Sequence, residues 1–442
     1  MDGAERGELD ALRALVASLR STRLPSWLTP ALDPEAVAAE LGPRIGEVVP
    51  GARELSALRL QDARARRTWA LRYDAEVLTD AGTRAVVLVG ERPAPGGAAS
   101  DNGVLLAGLG LSVVARDHDP GLPALPVLTD PAAVRPVLEE VLREGRPGLR
   151  LASVQSRLLQ LKHGQRATVL QQLTYPAGAD PSWPRAVIAK TYSGTGGAST
   201  YAWMRELWQS GVGGHGVPRL AEPLAYLAEH RTLLQGVVPG DGTLADLVGD
   251  DSAETLAKES ALRSTAEGLA VLHGSGVSTG PARAVAAEVA TIDRLLDRLA
   301  PSFPEQVSRD ARALLAALAS RGGDDPVKAV PVHGAFRPAQ VLLDATRPAF
   351  LDFDGFGQGE AALDVGRFVA KLSEIAGGDR RDHLSGVFVD AYREAAPLPA
   401  DRLSLWRCLD LFIGTVRCWY RADPVRATVL LDLLDDALGT TW

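Results

Sequence analysis

Leu12, Leu15, Val16 and Leu19 fall at i, i+3, i+4 and i+7, the spacing of one apolar helix face. A proline-broken connection and a second helix are expected to complete residues 1–42. The period then changes. Residues 68–91 read "TWALRYDAEVLTDAGTRAVVLVGE". The first arm alternates, the second is rich in Val and Leu, and Asp-Ala-Gly lies between, which predicts a β-hairpin. "ERPAPGGAASDNG" is a loop by composition, and residues 131–144 ("PAAVRPVLEEVLRE") form a helix. Residues 1–150 are therefore expected to be an N-terminal α/β cap or extension.

Strand-like runs dominate residues 151–240: "RLLQLKHGQRATVLQQLTY", "RAVIAKTY", "AEPLAYLAE" and "HRTLLQGVV". A glycine-rich loop, "SGTGGAST", and a helix, "YAWMRELWQSG", fall among them. From 241 to 442 the period is helical, broken by one insert at 331–356. The order is a small β-rich lobe followed by a larger helical one.

Composition narrows the function. Hydrophobic residues are 46%, charged residues 23% and the formal net charge is −8, which suits a globular protein and excludes a generic nucleic-acid binder. The apolar stretches are too short to span a membrane; "LDLFIGTV" is a core helix piece closed by Arg417. Acidic residues precede the first apolar positions, unlike a signal peptide. Cys408 and Cys418, ten residues apart in an apolar helix, are expected to be reduced core residues of a cytoplasmic protein.

The insert carries the chemistry. It reads "PVHGAFRPAQVLLDATRPAFLDFDGF" from Pro331 to Phe356. Phosphoryl transfer requires positioned phosphates, a held magnesium ion and an oriented nucleophile. Lys190 ends the apolar run "RAVIAK", where an unpaired ammonium is costly. Glu206, sixteen residues on in the next helix, could pair with it. Gln340 and Asp352 offer the amide and carboxylate oxygens that magnesium prefers, provided their strands form a hairpin. Asp354 either joins them or merely flanks the site.

This segment resembles the aminoglycoside phosphotransferase and choline kinase-like superfamily. That family's loop reads H-G-D-x-x-x-x-N, followed by a strand ending I-D-F-D. Here the positions are His333, Gly334, Ala335, Gln340 and Leu351-Asp352-Phe353-Asp354. "ALDVGRF" is similar to the later aspartate motif and makes Asp364 an anchor beneath the loop. "LAVLHGSG" makes His273 a structural helix end, and His333 is likewise structural. The resemblance covers residues 151–380 and implies an α+β, bilobal protein-kinase-like fold that binds ATP and Mg2+. It also implies a hinge near Gln235, Val237 and Val238 that meets the adenine edge through main-chain groups. Glutamine at 340 and the long N-terminal region are maltokinase-like features.

Two departures stand out. Gln340 replaces asparagine and keeps the amide oxygen. Ala335 replaces the aspartate that orients the acceptor hydroxyl, and alanine can neither accept a proton nor hydrogen-bond a nucleophile. Arg337 could contact phosphate, or pair with a nearby carboxylate instead. "LKHGQRATV" has only Gly164 where a nucleotide-covering loop would hold several glycines. Three functions are consistent with this pattern. One is a kinase-like protein that binds nucleotide but transfers poorly, serving a protein partner. Another is an active kinase for a hydroxyl of a small-molecule acceptor. A purely structural helical protein would leave the ordered series of Lys190, Glu206, Gln340, Asp352 and Asp364 unexplained.

Overall fold

The computed structural model describes residues 3–65, 68–92, 103–116, 121–213, 216–321, 327–378 and 380–440. Most of the loop expected over 91–103 lies outside them. The architecture is mixed α+β, with β-rich sheets in the N-terminal half and helices dominating the C-terminal half. The chain forms two compact units.

The compact units are drawn from the chain differently from the three consecutive segments expected (1–150, 151–240 and 241–442). One unit combines residues 1–118 with 285–323 and 408–441. Its sheet contains the hairpin Trp69–Thr79 and Gly82–Glu91, closed where Thr79 pairs with Gly82. It also contains Ala52–Ala65, a strand absent from the sequence reading because three register irregularities break its alternation. The helix Gly3–Arg20 packs on Glu305–Ser320 and Pro424–Leu438. Ser18 Oγ donates to Asp310 at 2.5 Å, and Arg20 binds Asp432 at 2.8 Å and Asp435 at 3.0 Å. These distant partners draw two later helical segments into the N-terminal unit.

The other unit comprises residues 119–284 and 324–407. Its five-stranded antiparallel sheet contains Ser153–Lys162, Arg166–Thr174, Ala186–Tyr192, Pro223–Leu227 and Thr232–Gly236. Strand pleating sends alternate side chains to opposite faces. Val169, Val187 and Ala189 pack against Leu128, Val134, Leu138 and Leu142 on one face. The helix Pro131–Arg143, expected in the cap, thus belongs to this sheet. Arg166, Thr168, Ile188 and Lys190 line a cavity on the other face. The helical part begins at Leu244 and includes Thr255–His273, Ala361–Ile375 and Arg380–Ala395.

Trp406 and Trp419 are fully buried, as core residues should be. Cys408 and Cys418 are buried and form no disulfide. Among the described residues, no helix is long and apolar enough to cross a membrane.

Candidate active site

The insert folds as short strands around a turn. Val330–Val332 leads into the loop, Pro338–Gln340 makes one 3-10 turn, and Val341–Asp344 pairs antiparallel with Arg347–Phe350. This hairpin is the one that Gln340 and Asp352 require. Gln340 Nε2 lies 3.3 Å from Asp352 Oδ2.

Gly334 sits at φ +73°, a left-handed conformation that a side chain rarely adopts. A Cβ there would lie 1.9 Å from the Gly355 carbonyl oxygen. Gly334→Ala should therefore cost at least about 2 kcal/mol, from backbone strain and overpacking together. Chemical denaturation would read this directly.

Beneath the loop lies Asp364, fully buried on the helix Ala361–Ile375. Its two oxygens accept from the His333 amide at 2.6 Å and the Gly334 amide at 2.8 Å. His273, the last residue of its helix, meets Asp364 at 3.1 Å and Tyr392 Oη at 2.7 Å. Burial opposes ionisation of Asp364, but the hydrogen bond and charge of His273, with His333, hold its pKa below the ordinary range. His333 is buried, and burial lowers its pKa; Nε2 contacts the Leu351 carbonyl at 2.9 Å. Asp364 thus ties the His273 ring to the backbone amides of His333 and Gly334.

Above the loop, Lys190 and Asp352 converge. Lys190 Nζ is 2.5 Å from Asp352 Oδ1 and 2.8 Å from Asp354 Oδ1. Burial disfavours the charged form of Asp352, yet Lys190 and Arg166 hold its pKa far below normal. Asp352 sits at φ +70°, which aspartate tolerates better than most residues. Asp354 also accepts from Tyr192 Oη at 2.9 Å. Burial, then the charge of Asp354, raises the Tyr192 pKa, so its hydroxyl keeps its proton.

Some expectations meet a different arrangement. Glu206 does not pair with Lys190; it accepts from Thr279 Oγ1 at 2.8 Å, and Lys190 takes Asp352 and Asp354 instead. The glycine-rich loop is shorter than expected, because Gly196–Thr200 already belongs to the helix Gly196–Gln209. Arg337 is exposed and, among the described residues, has no carboxylate partner. Arg166 went unread in the sequence, although it follows Gly164 by two residues and shares its strand face with Thr168. It bridges both aspartates, binding Asp352 Oδ2 at 2.9 Å and Asp354 Oδ2 through its other terminal nitrogen.

The cavity measures about 390 Å3, within the usual range for small-ligand sites. Gln235, Gly236, Val237 and Val238 are among the residues that line it. Its described charged lining is four basic side chains (Lys162, Arg166, Lys190 and Arg337) and one acid, Asp352.

Gln340 Oε1 is buried without a hydrogen-bond partner beside Asp352. An unmet amide oxygen next to two carboxylates suits a hard divalent cation. Among the described residues, no three His, Cys, Asp or Glu side chains form a metal group.

Residues 192–402 match the model of the phosphotransferase enzyme family (APH). No curated protein matches the chain. Among solved structures, a protein assigned as an aminoglycoside phosphotransferase from Ralstonia eutropha is 14% identical, with a TM-score of 0.50. That match covers 70% of this chain and 98% of the other. A choline kinase from Cryptosporidium parvum is 8% identical at TM-score 0.50, covering 68% of this chain and 94% of its own. At these identities the likeness establishes the fold. Over residues 192–402, a little under half of the chain, the sequence thus matches the phosphotransferase enzyme family, and the fold is similar to that of an aminoglycoside phosphotransferase and a choline kinase.

Proposed function

We propose that the cavity of residues 119–284 and 324–407 binds Mg-ATP between its sheet and its helical part, and that phosphoryl transfer from it is impaired or lost. What supports this is one combination: a cavity lined by four basic side chains and one carboxylate, beside a loop with alanine at position 335. Positive lining favours a triphosphate. Lys190 would hold phosphates, Gln235 to Val238 would face the base, and Asp352 with Gln340 would hold the metal, which supplies charge neutralisation when bound. Asp352 would be committed to the metal, and Asp354 is held by Lys190 and Tyr192 as well as by Arg166. The positioned base is therefore missing, and its loss acts mainly on the transition state, leaving ground-state binding intact.

On this reading the protein is a pseudokinase-like binder or regulator in the cytoplasm, where its two buried thiols stay reduced. Mg-ATP should raise the melting temperature by several degrees at about 100 times its Kd, a stabilisation of about 2.7 kcal/mol. Lys190→Ala should lose most of that shift. A flat melting curve with saturating Mg-ATP would remove the proposal. An active kinase acting on a small-molecule hydroxyl would instead show rapid turnover with one member of an acceptor panel.

A further inference from the structure

Arg166 opens the strand Arg166–Thr174 and lies against the two carboxylates from the sheet side. Nη2 binds Asp352 Oδ2 at 2.9 Å; Nη1 is 3.3 Å from Asp352 Oδ1 and also binds Asp354 Oδ2. With Lys190, the cluster holds two cations and two carboxylates, so its formal charge is zero. Each of the four carboxylate oxygens lies in contact with a cation, by hydrogen bond or ion pair. A divalent ion approaching this cluster meets neither an open carboxylate oxygen nor a net negative charge. Yet the donor set, with the unpartnered Gln340 oxygen, suits such an ion.

We propose that Arg166 is a built-in competitor of the metal: it occupies Asp352 and Asp354 until a divalent cation displaces it. This inference rests on the Mg-nucleotide reading and adds a residue to it. Arg166 Nε is buried with no hydrogen-bond partner, so the guanidinium is incompletely satisfied where it sits, which eases its release. Without Arg166, the cluster of Lys190, Asp352 and Asp354 carries one net negative charge. Opposite charges at contact in a partly buried site attract strongly, so a divalent cation should then enter far more readily. Arg166 thereby makes metal binding by the free protein weak and couples it to nucleotide, whose phosphates can take over the guanidinium.

The test is a Mn2+ titration of the full chain without nucleotide, followed by the loss of the free-ion EPR signal. Arg166→Gln should bind Mn2+ at least ten-fold more tightly than the unaltered protein. Arg166→Lys, which keeps the charge but offers one nitrogen in place of the two that Arg166 uses, should fall between. Adding Asp352→Asn to Arg166→Gln should abolish the gain and so locate the ion. If Arg166→Gln fails to fold, the lysine variant alone must still bind more tightly than the parent. Equal or weaker Mn2+ binding by the folded variants overturns the proposal. Failure of the nucleotide reading appears separately, as no melting shift with Mg-ATP in a protein whose Mn2+ affinity does respond to Arg166.

Discussion

Ala335→Asp should raise phosphoryl transfer by about 10²–10⁴-fold, the usual contribution of a positioned general base. That factor corresponds to about 3–5 kcal/mol of barrier. The backbone that would present the carboxylate is already in place. Gly334 takes its left-handed turn, Asp364 holds the amides of His333 and Gly334, and the Gly334 carbonyl accepts from Arg367. What position 335 lacks is only the acceptor. Because the aspartate would act in the transition state, affinity for Mg-ATP should change little while turnover rises. Initial rates of ADP formation with an acceptor panel, set beside melting curves of both proteins, would separate a gain in chemistry from a change in stability. Fast transfer by the unaltered protein, with no gain on adding aspartate, would contradict the account.

Removing Asp364 should produce the largest loss of stability. Asp364→Ala leaves the His333 and Gly334 amides and the His273 ring without their buried acceptor. Breaking a buried charged network in this way costs about 3–5 kcal/mol. The pH dependence carries a defined sign. The folded protein holds Asp364 below its ordinary pKa, as it does Asp352, so the unfolded chain binds protons more tightly. The stability these groups supply is complete above an unfolded pKa of about 3.9 and drains away as pH falls through the lower folded values. The gap between the unaltered protein and Asp364→Ala, measured by urea unfolding, should therefore be wide at neutral pH and narrow below about pH 4. A gap independent of pH would show that the aspartate is not ionised in the fold.

Much of the site is legible in the sequence because its residues sit in strongly patterned places. An apolar run that ends in lysine marks Lys190, and a short strand that ends in paired acids marks Asp352 and Asp354. Their convergence across 162 positions is what the family resemblance implies, and Lys190 Nζ lies 2.5 Å from Asp352 Oδ1. Glu206 shows the limit. Spacing places it on the helix after Lys190 but does not fix the rotation of that helix, and Thr279 receives its carboxylate instead. Arg166 carries no local signal of its own, because its segment holds the single glycine Gly164, although strand periodicity and register put it on the same face as Thr168 and Lys190. The discontinuous N-terminal unit leaves no local trace at all. It depends on pairs such as Ser18 with Asp310 and Arg20 with Asp432, which only long-range packing reveals.

The central claim is tested most directly by equilibrium titration of the full chain with labelled ATP in the presence of magnesium. The account predicts one nucleotide per chain, with binding lost in Lys190→Ala and retained in Ala335→Asp. Absence of saturable binding, or full binding by the Lys190 variant, would contradict it.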